Sequence, residues 1–114
     1  MLERDKQRLE VILKKIVMIE EIVESFGFVS KALEDEKLAK PAIMMHLTAI
    51  AEQFSKLKDK IVIDQFDEKD IKGAIASRNF IAYDYDGVNL SFIEVVIRER
   101  LPVVKSIIDD ILEI

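Results

Sequence analysis

At 114 residues, 50% apolar and 34% charged, the chain holds material for one domain, residues 1–114, able to bury roughly 65% of the surface its unfolded form exposes. With three Gly, two Pro, one His, no Cys and no Trp, its composition excludes disulfides, thiolate metal sites and multi-histidine metal sites, and suits helices joined by short turns better than a β-sandwich. The net charge of -5 argues against a broad electrostatic grip on nucleic acid, so any RNA contact must be local.

The first helix is expected from Leu2 to about Phe26. Its apolar residues Leu9, Ile12, Leu13, Ile16, Ile19, Val23 and Phe26 recur every three or four positions, which places them on one helix face. Gly27 is placed to stop it with a positive φ, and residues 28–33 suit a short helical turn. A second helix is expected near Asp35, a capping residue, with Pro41 in its early part. Its stripe is Ile43, Leu47, Ile50, Phe54 and Leu57. A second stripe of Ala42, Met45, Ala49 and Glu52 suggests that it packs on two sides.

Residues 58–66 read as a connector. The third helix begins at Asp67, whose carboxylate with that of Asp70 suits the positive end of a helix dipole, and runs to about Tyr83. Asp86-Gly87 marks a turn, and Asn89 caps a last helix with the stripe Leu90, Ile93, Ile97, Leu101, Val104, Ile108 and Ile111. Pro102 falls inside that stripe, and a kink is expected there. The fold class is therefore all-α: a four-to-five-helix up-and-down bundle with a kinked last helix.

The stretch with chemical interest is Ser77 to Gly87. Arg78 lies seven residues, or about 700° of helical rotation, beyond Ile71 and shares a face with Ile75. A guanidinium thus takes an apolar position, and Ala82 and Tyr85 follow on the same line if the helix persists. Burying an ionised Arg is costly unless it is paired, so it needs a carboxylate, a ligand anion or a solvent-filled cleft. Glu52 is the candidate partner for a structural pair that fixes helix register. In the other reading, Arg78 faces a cleft and holds a phosphate in its planar fork of donors. Periodicity does not choose between them.

The segment from Arg78 to Tyr85 resembles the signature of HEPN-domain proteins of the HepT type, in which Arg and Asn are followed by His, one further residue and Tyr. Ile50-Ala51-Glu52, Ile75, Asp86-Gly87 and Leu101-Pro102 extend the resemblance over most of the chain. Position by position, Arg78, Asn79 and Tyr85 match, while Tyr83 stands in the place of the His. The resemblance implies a HEPN-like bundle acting as a metal-independent endoribonuclease, the toxin of a toxin-antitoxin pair, in a homodimer whose two motifs face each other. Arg78 would hold the scissile phosphate and Tyr83 would occupy the acid-base position, and Arg78, Asn79 and the two Tyr hydroxyls could still bind phosphate or nucleotide without cleavage. An imidazole titrates near pH 6.5 and moves protons readily in the cell, whereas a phenol near pKa 10 does so poorly. Cleavage is accordingly expected to be weak or lost. The resemblance further implies adenylylation of Tyr85 by a partner, a minimal nucleotidyltransferase antitoxin.

Other readings stay open. One is a non-catalytic helical module that binds nucleotide or substrate and docks on the nucleotidyltransferase; another is a purely structural bundle. The residues Phe92, Val96, Val103 and Ile107, left over on the last helix, point to a homodimer. His46 reads as structural, with a remote alternative role as the missing imidazole. No metal and no cofactor are expected. A span long enough for a membrane and a secretory leader are both lacking, so a cytoplasmic location is expected.

Overall fold

The computed structural model describes residues 1–113. Helix α1, Glu3–Phe26, is built on its predicted stripe: Leu9, Ile12, Ile16 and Ile19 are fully buried, and Leu13, Val23 and Phe26 pack beside them. Each buried aliphatic side chain contributes roughly 1.5–3 kcal/mol relative to exposure. Gly27 ends the helix at φ +93°, a backbone state that side chains with a Cβ rarely adopt. Helix α2, Val29–Glu34, is the short turn expected there, and buries Ala32 and Leu33.

Helix α3, Ala39–Lys56, starts four residues later than Asp35 alone suggested. Asp35 still organises its start: its carboxylate accepts from the Ala39 amide at 2.9 Å and its carbonyl from the Lys40 amide at 2.9 Å. Pro41, with no amide to satisfy, is in the first turn. The helix packs on α1 with one side and on the motif helix with the other. The residues that serve both sides differ in part from those expected. Met44, Leu47 and Ala51 are buried together with Ile43, Ile50 and Phe54, whereas Met45 and Glu52 of the second stripe are exposed.

The connector contains one turn of helix, α4, Lys60–Ile63, capped by the Asp59 carboxylate on the Ile61 amide. It is tied down from a distance. Asp5, at 0% exposure, accepts from the Lys58 and Asp59 amides at 3.0 and 2.7 Å and from the Arg8 guanidinium at 2.8 Å. Burial pushes the Asp5 carboxyl up, but those donors outweigh it and hold the group below its ordinary value.

Helix α5, Glu68–Tyr83, carries the motif, and Asp67 caps it by accepting from the Lys69 amide at 2.9 Å. A 3-10 turn, Tyr85–Gly87, leads to α6, Leu90–Val95, capped by Asn89. A π-helical turn, Val96–Arg100, then joins α6 to α7, Leu101–Leu112. In place of a simple kink at Pro102, the turn before it is widened, and the Leu101 amide bonds back to the Val96 carbonyl. Proline lacks an amide and its ring crowds the preceding carbonyl, and one extra residue in the turn relieves both. Arg100 ends that turn and clamps it to α5, donating to both oxygens of Asp70 at 2.8 and 2.7 Å. Helix α7 returns against α1, and among the described residues no strand occurs.

Candidate functional site

Helix α5 touches the core along a narrow line. Ser77 is its buried residue, with the hydroxyl donated to the Gly73 carbonyl at 2.8 Å, while Ala74 and Ile81 are partly buried beside it. The 100° step from Ser77 carries Arg78 off that line and onto the flank of Ile71 and Ile75, all three half-buried. Arg78 is therefore at the margin of the core, not inside it.

The expected Arg78–Glu52 pair is not formed. Glu52 is exposed, and among the described residues Arg78 has no carboxylate within ion-pair distance. Its guanidinium makes one long contact, 3.5 Å, to the Asn79 amide oxygen. A cation at the edge of the core without a counter-ion among the described residues is open to a visiting anion, and the guanidinium fork suits phosphate.

Helix α5 stops at Tyr83, so Tyr85 does not continue the Arg78 line as expected. Asp84 is extended, at φ −152° and ψ 64°, and closes the turn with its carbonyl bound by the Gly87 amide at 3.1 Å. Gly87 lies directly against the Asp84 carboxylate, where a Cβ would collide. Consequently the two tyrosines diverge. Tyr83 is 88% exposed, its ring in solvent beyond exposed Phe80. Tyr85 folds back towards α3 and packs on the core.

Tyr85 lines a groove of about 540 Å³ between α3 and α5, with Pro41, Met44, Met45, Ile81 and Ala82. The Lys40 ammonium stands 5.2 Å from the centre of its ring. The Tyr85 hydroxyl is buried and has no hydrogen-bond partner among the described residues. Burial pushes the phenol's pKa up, and the carboxylates of Asp86 and Glu36 add to the rise. On the other flank of α5, a largely apolar groove of about 370 Å³ separates Gly73, Ala74 and Ser77 from Phe92, Val96 and Arg100. Arg78 lines neither groove.

A match along nearly the whole chain decides the family. A model described as "Ribonuclease HepT-like" matches residues 5–111. The chain belongs to the ribonuclease HepT-like family. No curated protein and no solved structure gives a match. In this HepT-like chain the motif residues do not form one compact cluster: Arg78 and Asn79 lie on one stretch of helix surface, Tyr83 points to solvent and Tyr85 is stowed. His46, half-buried, has its pKa lowered by burial and then by Lys15 of α1, so it faces the α1 side of α3.

Three features escaped the sequence reading. Asp5 could have been found, since it continues the Leu9–Ile12–Ile16 stripe by one helical step and puts a carboxylate in an apolar row. The Arg100–Asp70 clamp depends on a 30-residue separation that periodicity does not report. Lys40 precedes a proline in a charged stretch and looks like a solvated residue, yet it is only 9% exposed. Among the described residues no group of three metal-ligating side chains comes together, and no helix is long and apolar enough to cross a membrane.

Proposed function

We propose that this HepT-like domain acts on RNA in the cytoplasm as the toxin member of a toxin-antitoxin pair, gripping a backbone phosphate through Arg78 and Asn79, with cleavage weak or lost because Tyr83 stands in the place of the acid-base His. The observation that carries this is the half-buried Arg78 side chain with no carboxylate partner among the described residues. A register pair would have satisfied that charge. Its absence removes the main support for a purely structural bundle. In the chemistry implied by the family, the RNA 2′-hydroxyl loses its proton to a base and attacks the adjacent phosphorus, the bond from phosphorus to the 5′-oxygen breaks, and that oxygen leaves with a proton from an acid. Tyr83 is 88% exposed and its hydroxyl makes no hydrogen bond among the described residues, an arrangement that does little to make a phenol effective in that role.

Dimerisation is part of the proposal. Phe80, Phe92, Val95 and Val103 are large apolar side chains left exposed on α5 and the last helix, and pairing two copies there would cover them and bring two Arg78 side chains into one cleft. Regulation by a minimal nucleotidyltransferase through adenylylation of Tyr85 completes the reading. Its hydroxyl is sheltered, so the ring must turn outward at the 3-10 turn to be modified.

A second reading, a non-catalytic nucleotide-binding module docked on the nucleotidyltransferase, is favoured by one residue, Tyr83, and shares the Arg78 site. Fluorescence anisotropy with a short single-stranded RNA tests the common claim. Binding should weaken as salt rises and fall about tenfold or more in Arg78→Ala; equal affinity of the two chains would refute the phosphate role. Incubation with the nucleotidyltransferase and ATP should add AMP to the intact mass, and Tyr85→Phe should abolish the gain.

A further inference from the structure

Two unsatisfied groups lie side by side near the amino-terminal end of α3. One is the buried Tyr85 hydroxyl, with no partner among the described residues. The other is Lys40, 9% exposed and in no ion pair among the described residues. The Lys40 backbone N–H donates to the Asp35 carbonyl at 2.9 Å, and its ammonium lies over the Tyr85 ring, 5.2 Å from the centre. Glu34, Glu36 and Glu94 line the same groove as Lys40, yet none comes within ion-pair distance of it, and a ring face offsets only part of the cost of holding a cation away from water. Lys40 also occupies the first turn of an 18-residue helix, the end at which the helix dipole favours negative charge.

We infer that Lys40 is a positioning residue for Tyr85 and serves as the counter-ion of an anionic phosphodiester formed on its hydroxyl. The inference rests on the proposed adenylylation of Tyr85. In that step the phenolic oxygen bonds to the α-phosphorus of ATP, the bond from that phosphorus to the bridging oxygen breaks, pyrophosphate leaves, and the phenolic proton passes to a base of the nucleotidyltransferase. The product carries one negative charge next to the ring that Lys40 already touches. In one event the modification removes the unpartnered O–H and supplies an anion closer to Lys40 than the carboxylates of its groove. The hydroxyl is closed off from solvent, so the ring turns outward for the transfer, and on its return the attached nucleoside takes up the groove of about 540 Å³ that Tyr85 and Glu36 line beside Lys40, within the range of about 300–1,000 Å³ typical of small-molecule sites. Glu36 and Asp86 are the acids that face the phenol, and without Lys40 they would repel the new charge. Modification should therefore stabilise the fold rather than merely block the site.

The test separates Lys40 from the modification itself. Replacing Tyr85 by p-carboxymethylphenylalanine places a fixed anion on the ring without any enzyme, and urea unfolding is then measured with Lys40, Lys40→Met and Lys40→Arg. The anion should raise the folding equilibrium constant about tenfold more with Lys40 than with Lys40→Met, and Lys40→Arg should restore most of the difference. With Lys40 present, the gain should survive moderate salt, because a largely buried pair is screened little. This comparison needs no Lys40 variant to fold. An equal response with Lys40 and Lys40→Met, or a gain abolished by moderate salt as for an exposed charge, overturns the proposal. In parallel, the enzymatically modified natural chain should melt higher than the unmodified one, an increment lost in Lys40→Met. Absence of any AMP gain in the natural chain refutes the adenylylation reading alone, because the carboxymethyl comparison still decides the role of Lys40. AMP gain without coupling in that comparison refutes the role of Lys40 alone.

Discussion

Helices α1 and α5 both lie against α3, and they are buried to very different depths. Helix α1 encloses Leu9, Ile12, Ile16 and Ile19 completely, whereas α5 encloses Ser77, a small polar residue, and leaves Phe80 61% exposed. The first contact is an apolar seam that supplies stability. The second is a narrow line of small residues that holds a charged motif at the edge of the core. What separates the two is where charge stands relative to the seam. In α1 the one charged group in the row, Asp5, is fully bonded to Arg8 and to two connector amides. In α5 the charged group, Arg78, is left without a counter-ion among the described residues. A satisfied charge belongs to the architecture; an unsatisfied one is available to a ligand.

Four substitutions sharpen this contrast, taken from the largest expected effect to the smallest. Ile16→Ala, in the middle of the α1 seam, should cost about 2–5 kcal/mol in chemical unfolding. Asp5→Ala should cost about 1–3 kcal/mol, since it strips two buried amides and a guanidinium of their acceptor. The pH dependence follows from the direction of the Asp5 shift. Because folding holds its carboxyl below the ordinary value of 3.8, its contribution is complete above that value and is lost as the pH falls through the folded-state pKa. The acid-unfolding curve of Asp5→Ala should therefore be flatter than that of the natural chain below about pH 4.

Tyr85→Phe should be neutral or stabilising by up to about 1 kcal/mol, because it deletes a buried hydroxyl that has no partner while keeping the ring. A loss of more than that amount would mean that the hydroxyl is bonded in solution. Arg78→Ala should leave stability within about 0.5 kcal/mol of the natural chain while reducing RNA affinity. If it unfolded the protein instead, Arg78 would be part of the architecture like Asp5.

The fold was legible in the sequence to the extent that it depends on periodicity and caps. The α1 stripe, Gly27, Asp67 and Asn89 all act in the structure as their residue types suggest, because a helix face and its end groups are local properties. Events that depend on neighbours in space were not legible. Asp35 organises α3 from four residues away, the Pro102 constraint is relieved by a widened turn upstream, and Arg100 finds Asp70 across 30 residues. The motif shows the same division. Its residues could be named from the sequence, but their line was extrapolated through a helix that ends at Tyr83, so Tyr85 was placed beside Arg78 when it folds away towards Lys40. Likewise, Glu52 was paired with Arg78 from stripe geometry alone, which fixes a face and not a contact.

The most direct test of the central claim is the rate at which purified protein cleaves a short RNA, compared for the natural chain, Tyr83→His, and Tyr83→His combined with Arg78→Ala. Acid-base catalysis by a positioned side chain is worth about 100-fold to 10,000-fold, so Tyr83→His should cleave at least about 100-fold faster than the natural chain, and Arg78→Ala should remove that gain. Cleavage by the natural chain as fast as by Tyr83→His would contradict the claim that its motif holds phosphate without an effective proton carrier.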